Sequence, residues 1–278
     1  MARRTHVRAV IAAVTAVLAV VAVLSASTQG PADARRARHV VGADISWPQC
    51  PKNTGIPSRR GMDLPMPRRT ARFVVVGLTN GPGFFPNPCI DSQMRWVRRH
   101  HVWAAAYAVT TYPRDRQLAK YGTSGPHSSR HLLGKLWNAG YAEAGFNLAT
   151  MDRVHLESPI VWVDVEPYSV RPWTRNHARN AAVVRGAVQG YEDAGLRVGV
   201  YSTQRLWRGI VGQLHFGYPE WRTSGPQSQR EALQMCGRDA IQGGHAVLAQ
   251  WWGDTRDFDV TCPHHSSRLQ LAQYFRRY

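Results

Sequence analysis

Two carboxylic acids near the end of an apolar run are the side chains best suited to chemistry. The run reads PIVWVDVE from Pro159 to Glu166. Because side chains alternate along a β-strand, Asp164 and Glu166 share one face with Trp162. Burial and mutual repulsion raise the pKa of at least one acid in such a pair, so that a protonated acid works beside an ionised partner. We predict a general acid with a stabilising carboxylate; the alternative is a structural pair neutralised by arginines.

Three further acids accompany apolar strand-like sequence. Asp44 is the lone acid of the segment GADISWPQ at residues 42–49, where an unpaired carboxylate is costly. Asp257 and Asp259 flank Phe258 and would share one face by alternation. We predict that Asp259, which lies within the strand-like sequence FDVT, faces the site, and Asp257 is the alternative.

Aromatic residues at the ends of predicted strands suit a carbohydrate ligand, because the C–H faces of sugars stack on aromatic rings. They are Trp47, Tyr107, Tyr201, Trp221, Trp251 and Trp252. Core packing is the other explanation for each. His127 and His131 have i,i+4 spacing but no third ligand nearby, and no phosphate-binding glycine loop follows a strand. We therefore predict no metal and no cofactor.

The elements that must position these residues are strand-like runs alternating with helix-like segments. The predicted strands cover 40–47, 72–80, 102–110, 159–166, 197–203, 218–223, 246–252 and 258–262. The predicted helices cover 91–100, 128–151, 173–194, 204–211 and 227–236, with Thr174 as the N-cap of the third. This alternation predicts an α/β fold, an irregular (β/α)8 barrel of TIM type forming a single domain at 41–278. The segments 48–70 and 111–126 are predicted loops.

The amino terminus has the layout of a secretory signal. Arg3, Arg4 and Arg8 precede an uncharged run rich in Ala and Val at 9–26. We predict a signal peptide at 1–26 and an Arg-rich linker at 27–40, and hence a secreted or cell-wall-associated protein with no membrane contact after cleavage. An uncleaved anchor is the alternative, because the run approaches the length that spans a bilayer.

Four cysteines follow the predicted signal, and an even number in an oxidising compartment favours two disulfides. Three pairings of Cys50, Cys89, Cys236 and Cys262 are possible. Cys50 and Cys89 follow neighbouring strands at one rim of a barrel wound in sequence order. Cys236 and Cys262 flank neighbouring strands but near opposite strand ends. We predict the bridges Cys50–Cys89 and Cys236–Cys262.

The charge balance is strongly basic, with 35 Lys and Arg against 18 Asp and Glu and a net charge of +17. Lys52, Lys120 and Lys135 are the only lysines, and the arginines form no stripe. We therefore predict no nucleic-acid partner, and we expect a monomer.

Several segments resemble glycoside hydrolase family 25 lysozymes. Residues 42–49 resemble the opening strand motif of that family, an acid followed by Ser and, five residues after the acid, Gln. Residues 164–166 resemble its Asp-x-Glu strand, 199–202 its following strand, and 250–260 its closing Gln-aromatic and Asp segment. The sequence looks closer still to secreted actinobacterial glycoside-hydrolase-like proteins of unknown function. The cysteine pairs and both long loops are not features of the lysozymes.

The resemblance implies an irregular barrel that acts on peptidoglycan. It assigns Glu166 as the general acid, Asp164 as the group that positions or stabilises an acetamido intermediate, and Asp44 and Asp259 as supporting acids. The residues expected to contact the glycan are Trp47, Gln49, Tyr107, Tyr201, Trp221, Gln250 and Trp252. The alternatives are a wall-binding module without catalysis, which kept these side chains as a ligand site, and a basic protein held to anionic wall polymers.

Overall fold

Eight strands close into a barrel in this computed structural model, which describes residues 39–169, 172–263, 265 and 268–278. The predicted signal peptide and nearly all of the predicted linker lie outside the described residues. The barrel strands are β1 (Val41–Ile45), β4 (Phe73–Gly77), β5 (Trp103–Val109), β6 (Ile160–Asp164), β7 (Arg197–Ser202), β8 (Glu220–Thr223), β9 (Ala246–Trp252) and β10 (Asp257–Thr261). A hairpin of β2 (Gly55–Ile56) and β3 (Arg59–Arg60) precedes β4, and β11 (Arg276–Arg277) pairs with β5.

The order around the barrel is β1-β4-β5-β6-β7-β8-β9-β10, and β10 returns to β1. All these pairings are parallel except those of β10, which is antiparallel to both β9 and β1. The predicted irregular single-domain barrel is therefore confirmed. The alternation of strands and helices that indicated parallel βα units stops at the last strand, because residues 253–256 form a short connection without a helix between β9 and β10.

Helices cover the outside of the barrel. They are α1 (Ile90–His100), α2 (Asp115–Tyr121), α3 (Leu132–Arg153), α4 (His177–Asp193), α5 (Gln204–Val211), α6 (Gln229–Met235) and α7 (Arg268–Tyr274). All five predicted helices are present, whereas α2 lies in a predicted loop. None of the helices in the described part of the chain is long and apolar enough to cross a membrane.

The start of α4 differs from the prediction. Asn176, and not Thr174, is the N-cap, since the Asn176 side chain accepts a hydrogen bond from the backbone N–H of Arg179 at 3.0 Å. The Thr174 hydroxyl instead contacts the Asn180 side chain at 2.8 Å. Thr174 therefore orders the segment that leads into the helix.

Alternating side chains of the strands form two apolar layers. The outward layer packs against the helices and includes Val74, Val76, Val161, Val163, Val198 and Val200. The inward layer fills the barrel and includes Phe73, Val75, Ile160, Trp162, Trp221 and Leu248. Phe275, which follows α7, closes the floor with its ring 4.7 Å from that of Phe73. The interior is thus filled below the rim that the carboxyl ends of the parallel strands form.

Both predicted disulfides are confirmed. The Cα atoms are 5.4 Å apart in Cys50–Cys89 and 5.6 Å apart in Cys236–Cys262. The second bridge forms without difficulty because β10 runs antiparallel to β9. Its end therefore reaches the start of β9, where the backbone N–H of Cys262 donates to the carbonyl of Val247 at 2.8 Å.

Candidate active site

Four acids lie near one another at the rim of the barrel. Three of them are on barrel strands, and the fourth follows one of these strands. Asp44 is on β1, Asp164 ends β6 with Glu166 two residues beyond it, and Asp259 is on β10. Asp44, Asp164 and Asp259 are nearly inaccessible, with exposed fractions of 7%, 5% and 0%. The sequence alternation that places Trp162 inside the barrel also directs Asp164 inward.

Asp164 and Glu166 form one coupled pair. Burial raises the pKa of both carboxyls, and the charge of Glu166 raises that of Asp164 further, whereas the charge of Arg59 opposes both shifts. The Oδ1 atom of Asp164 is buried and has no hydrogen-bond partner among the described residues. The backbone at Glu166 is fixed by the indole N–H of Trp173, which donates to its carbonyl at 2.8 Å. Burial and mutual repulsion therefore favour a protonated form of the pair, and the Oδ1 atom of Asp164 offers an acceptor.

Asp44 and Asp259 form the second pair, which other side chains hold in place. The Gln250 amide donates to Asp44 at 2.8 Å and accepts from the Tyr201 hydroxyl at 2.7 Å. The indole N–H of Trp221 donates to Asp259 at 2.7 Å. Burial and the neighbouring carboxylates raise the pKa of both acids. Both effects favour the protonated form of these two acids.

Asp257 also faces this pair. Because β10 runs opposite to the other strands, Asp257 lies nearer the rim than Asp259, and it pairs in register with Trp252. Asp257 is half-buried, and burial raises its pKa to about 6. Asp259 has the buried indole contact, whereas Asp257 has the more accessible carboxylate.

The aromatic residues predicted to contact a glycan differ in their burial. Trp47 and Tyr107 are half-buried, and Trp252 is 36% exposed. Tyr201 and Trp221 are buried, with ring centroids 4.5 Å apart. The first three rings are at least partly accessible, whereas Trp221 contacts Asp259 and Tyr201 contacts Gln250.

The two glutamines of the predicted set are engaged with protein. Gln250 is buried between Asp44 and Tyr201, as described above. The Gln49 side chain accepts the backbone N–H of Ser46 at 2.8 Å and so stabilises the 3-10 turn Trp47–Gln49 after β1. Gln49 thereby positions the neighbouring Trp47.

Two residues at the rim were not found from the sequence. The guanidinium of Arg59 lies 4.4 Å from the ring centre of Tyr168 and 5.4 Å from that of Trp47. Tyr168 continues the alternation of Asp164 and Glu166, and this spacing could have revealed it. Arg59 stands in a basic stretch that nothing in the sequence distinguishes from others. No cluster of three or more His, Cys, Asp or Glu suited to a metal occurs in the described part of the chain.

Comparison with known proteins supports the fold. The family model described as Lysozyme-like protein 1 matches residues 143–226, which is less than half of the chain. No curated protein matches with significance.

Among solved structures, a bacterial lysozyme from Streptomyces coelicolor aligns with a TM-score of 0.53 at 13% identity, covering 84% of this chain and 96% of the lysozyme. A muramidase from Trichobolus zukalii aligns with a TM-score of 0.52 at 18% identity, covering 84% and 99%. A family GH25 lysozyme from Aspergillus fumigatus gives 0.52 at 16% identity, covering 84% and 97%. The described chain therefore has a barrel fold similar to that of these lysozymes.

Proposed function

We propose that this protein is a secreted glycoside hydrolase that cleaves the glycan strands of peptidoglycan or a related wall polymer. The observation that carries the proposal is the pair Asp164 and Glu166, inward-facing and with raised pKa values, on the rim where barrel enzymes carry their active sites. The similarity to the fold of lysozymes and a muramidase supports the same substrate class.

Glu166 acts as the general acid in this proposal. Its proton passes to the glycosidic oxygen as the bond from that oxygen to the anomeric carbon breaks, and water supplies the new hydroxyl. Asp164 stabilises the positive charge that develops at the reacting centre. Its buried Oδ1, without a partner among the described residues, is an acceptor suited to the N–H of an acetamido group.

The second acid pair supports this chemistry. Asp44 and Asp259 are buried acids with raised pKa values, and the contacts from Gln250 and Trp221 fix their orientation. We assign direct sugar contact to Trp47, Tyr107 and Trp252, which are the accessible aromatic residues of the predicted set. Gln49, Tyr201, Trp221 and Gln250 are assigned as positioning residues.

Clearing of a suspension of purified cell walls tests the proposal. The wild type is expected to clear it, and Glu166→Gln and Asp164→Asn are expected to lose the activity. Glu157→Gln is the matched control, because Glu157 is an exposed acid that precedes β6 at the other end of the barrel, and its ion pair with Arg276 contributes little. Clearing by Glu166→Gln at the wild-type rate would refute the assignment of the acid.

A binding module without catalysis is the second candidate. It is favoured by the burial of Asp44, Asp164 and Asp259, of which at most 7% is exposed. In that case the wild type would sediment with cell walls without clearing them. Secretion rests on the predicted signal, together with two disulfides that fit an oxidising compartment. Export is expected to place the protein, as a monomer, in the culture medium or on the wall.

A further inference from the structure

Arg59 brings a positive charge to the acid rim from outside the barrel. It belongs to the β2–β3 hairpin, in the long segment between β1 and β4. Its guanidinium is held against the rings of Tyr168 and Trp47, at the distances given above. Stacking of this kind restrains the group and leaves the N–H donors at its edge free to bind a ligand.

The hairpin is fixed firmly enough to place this side chain. The Asn80 side chain accepts the backbone N–H of Ile56 at 2.7 Å and donates to the carbonyl of Arg59 at 2.9 Å. Beyond the hairpin, the backbone N–H of Asp63 donates to the carbonyl of Cys50 at 2.9 Å. The Cys50–Cys89 disulfide ties the same segment to the start of α1. Arg59 is thus held in place from several directions.

Gly81 makes room for the stack. Its φ of +93° belongs to the left-handed region that favours glycine. A Cβ atom at this position would lie 3.0 Å from Cε1 of Tyr168 and 3.4 Å from Cγ of Arg59. The backbone therefore passes directly behind the two stacked side chains.

The guanidinium of Arg59 has no ion pair and no hydrogen bond in the described part of the chain, and its charge acts on Asp164 and Glu166 only at longer range. The ion pairs found there are Arg153–Asp91, Arg222–Glu220 and Arg276–Glu157, and no hydrogen bond leaves the guanidinium of Arg59. The side chain is nevertheless half-buried. A restrained, partly desolvated guanidinium whose N–H groups have no hydrogen-bonded acceptor is a site for an anion, and its planar fork fits a carboxylate.

We propose that Arg59 binds a carboxylate carried by the glycan next to the bond to be cleaved, an inference that rests on the proposed function. Two sugar carboxylates fit this chemistry, the lactyl group of a muramic residue that carries no peptide and the carboxyl of a uronic acid. The site would therefore bind a carboxylated strand more tightly than a neutral strand of the same length. Arg59 is a specificity residue in this account, and Glu166 remains the acid.

Calorimetric binding in the Glu166→Gln background tests the inference without turnover. The probes are peptide-free peptidoglycan strands, the same strands with their carboxyls reduced to alcohols, and an oligosaccharide of uronic acid. Reduction is expected to weaken binding about tenfold or more, as loss of a charged hydrogen bond does. Arg59→Gln should bind intact and reduced strands equally, and Arg59→Lys should recover part of the preference.

Arg60→Gln is the matched control, because it removes the same charge from the next residue of the hairpin, whose side chain is exposed near Asn53. It should keep the full preference for the carboxylated strand. Tighter binding of either the lactyl or the uronic probe supports the inference and identifies the carrier. An unchanged affinity after reduction, or a preference that survives Arg59→Gln, would overturn it.

The outcomes also separate this inference from the proposed function. A preference that depends on Arg59 in a protein that cleaves no glycan would support the inference and refute the hydrolase. If the wild type cleaves intact and carboxyl-reduced strands equally well, the hydrolase is supported and the inference about Arg59 is refuted. Absence of binding to every probe would overturn the inference.

Discussion

Removal of the Cys50–Cys89 bridge is expected to reduce both stability and activity, whereas removal of Cys236–Cys262 is expected to reduce stability alone. The first bridge anchors the segment that holds Trp47 and Arg59 at the rim. The second joins the end of α6 to the residue after β10, at the opposite end of the barrel. The two bridges therefore separate a general loss of stability from the loss of an ordered rim.

The loop lengths give the size of the effect on stability. The cysteines are separated by 39 residues in the first bridge and by 26 in the second. In the chain-entropy model these loops correspond to about 4 and about 3.5 kcal/mol of stabilisation at 25 °C. The two losses are nearly equal, so a difference in activity between the two variants cannot come from stability.

The assay compares C50S/C89S with C236S/C262S by urea unfolding and by turnover at a temperature where both remain folded. Turnover is expected to fall about tenfold or more in the first variant only, because displacement of binding groups by about 1 Å is enough to slow catalysis strongly. Full turnover in C50S/C89S would refute the role given to the segment. An equal loss of turnover in C236S/C262S would also refute this role.

Three other substitutions test the energetics. Burial raises the pKa of Asp259 in the folded protein. Stability should therefore fall as the pH rises from about 4 through that raised pKa. Asp259→Asn removes this titration and should raise Tm at pH 7 but not at pH 4. Gly186→Ala should cost about 1–3 kcal/mol in urea unfolding, because its Cβ would lie 1.9 Å from the carbonyl oxygen of Trp137 on α3. Glu220→Gln should cost about 3–5 kcal/mol by the same measurement, because it leaves the buried charge of Arg222 unpaired.

Alternation along single strands explains why much of the site could be predicted from the sequence. Trp162, Asp164 and Glu166 are two residues apart, and the period of two places them on one face whatever the neighbouring strands do. The same rule directs Asp257 and Asp259 to one side. Neighbouring strands in a sequentially wound barrel were also sufficient to pair the cysteines correctly.

Features that depend on the direction of a strand or on contacts between residues far apart in the sequence could not be predicted from local alternation. A period of two is the same in both directions, so the sequence did not reveal that β10 is antiparallel. Asn176 and Thr174 are both suitable helix caps, and the contact with Asn180 decides between them. Arg59 reaches the rim through the Asn80 contacts and the packing of Tyr168, which no local pattern contains.

Release of reducing ends from purified peptidoglycan, measured together with sedimentation of the protein on the same material, tests the central claim most directly. The wild type is expected to release new reducing ends. Glu166→Gln is expected to release them about 10²- to 10⁴-fold more slowly while it sediments as the wild type does, because the substitution removes the proton donor and leaves the cleft intact. Equal release by the two proteins, or no release by the wild type, would contradict the account of Glu166 as a general acid.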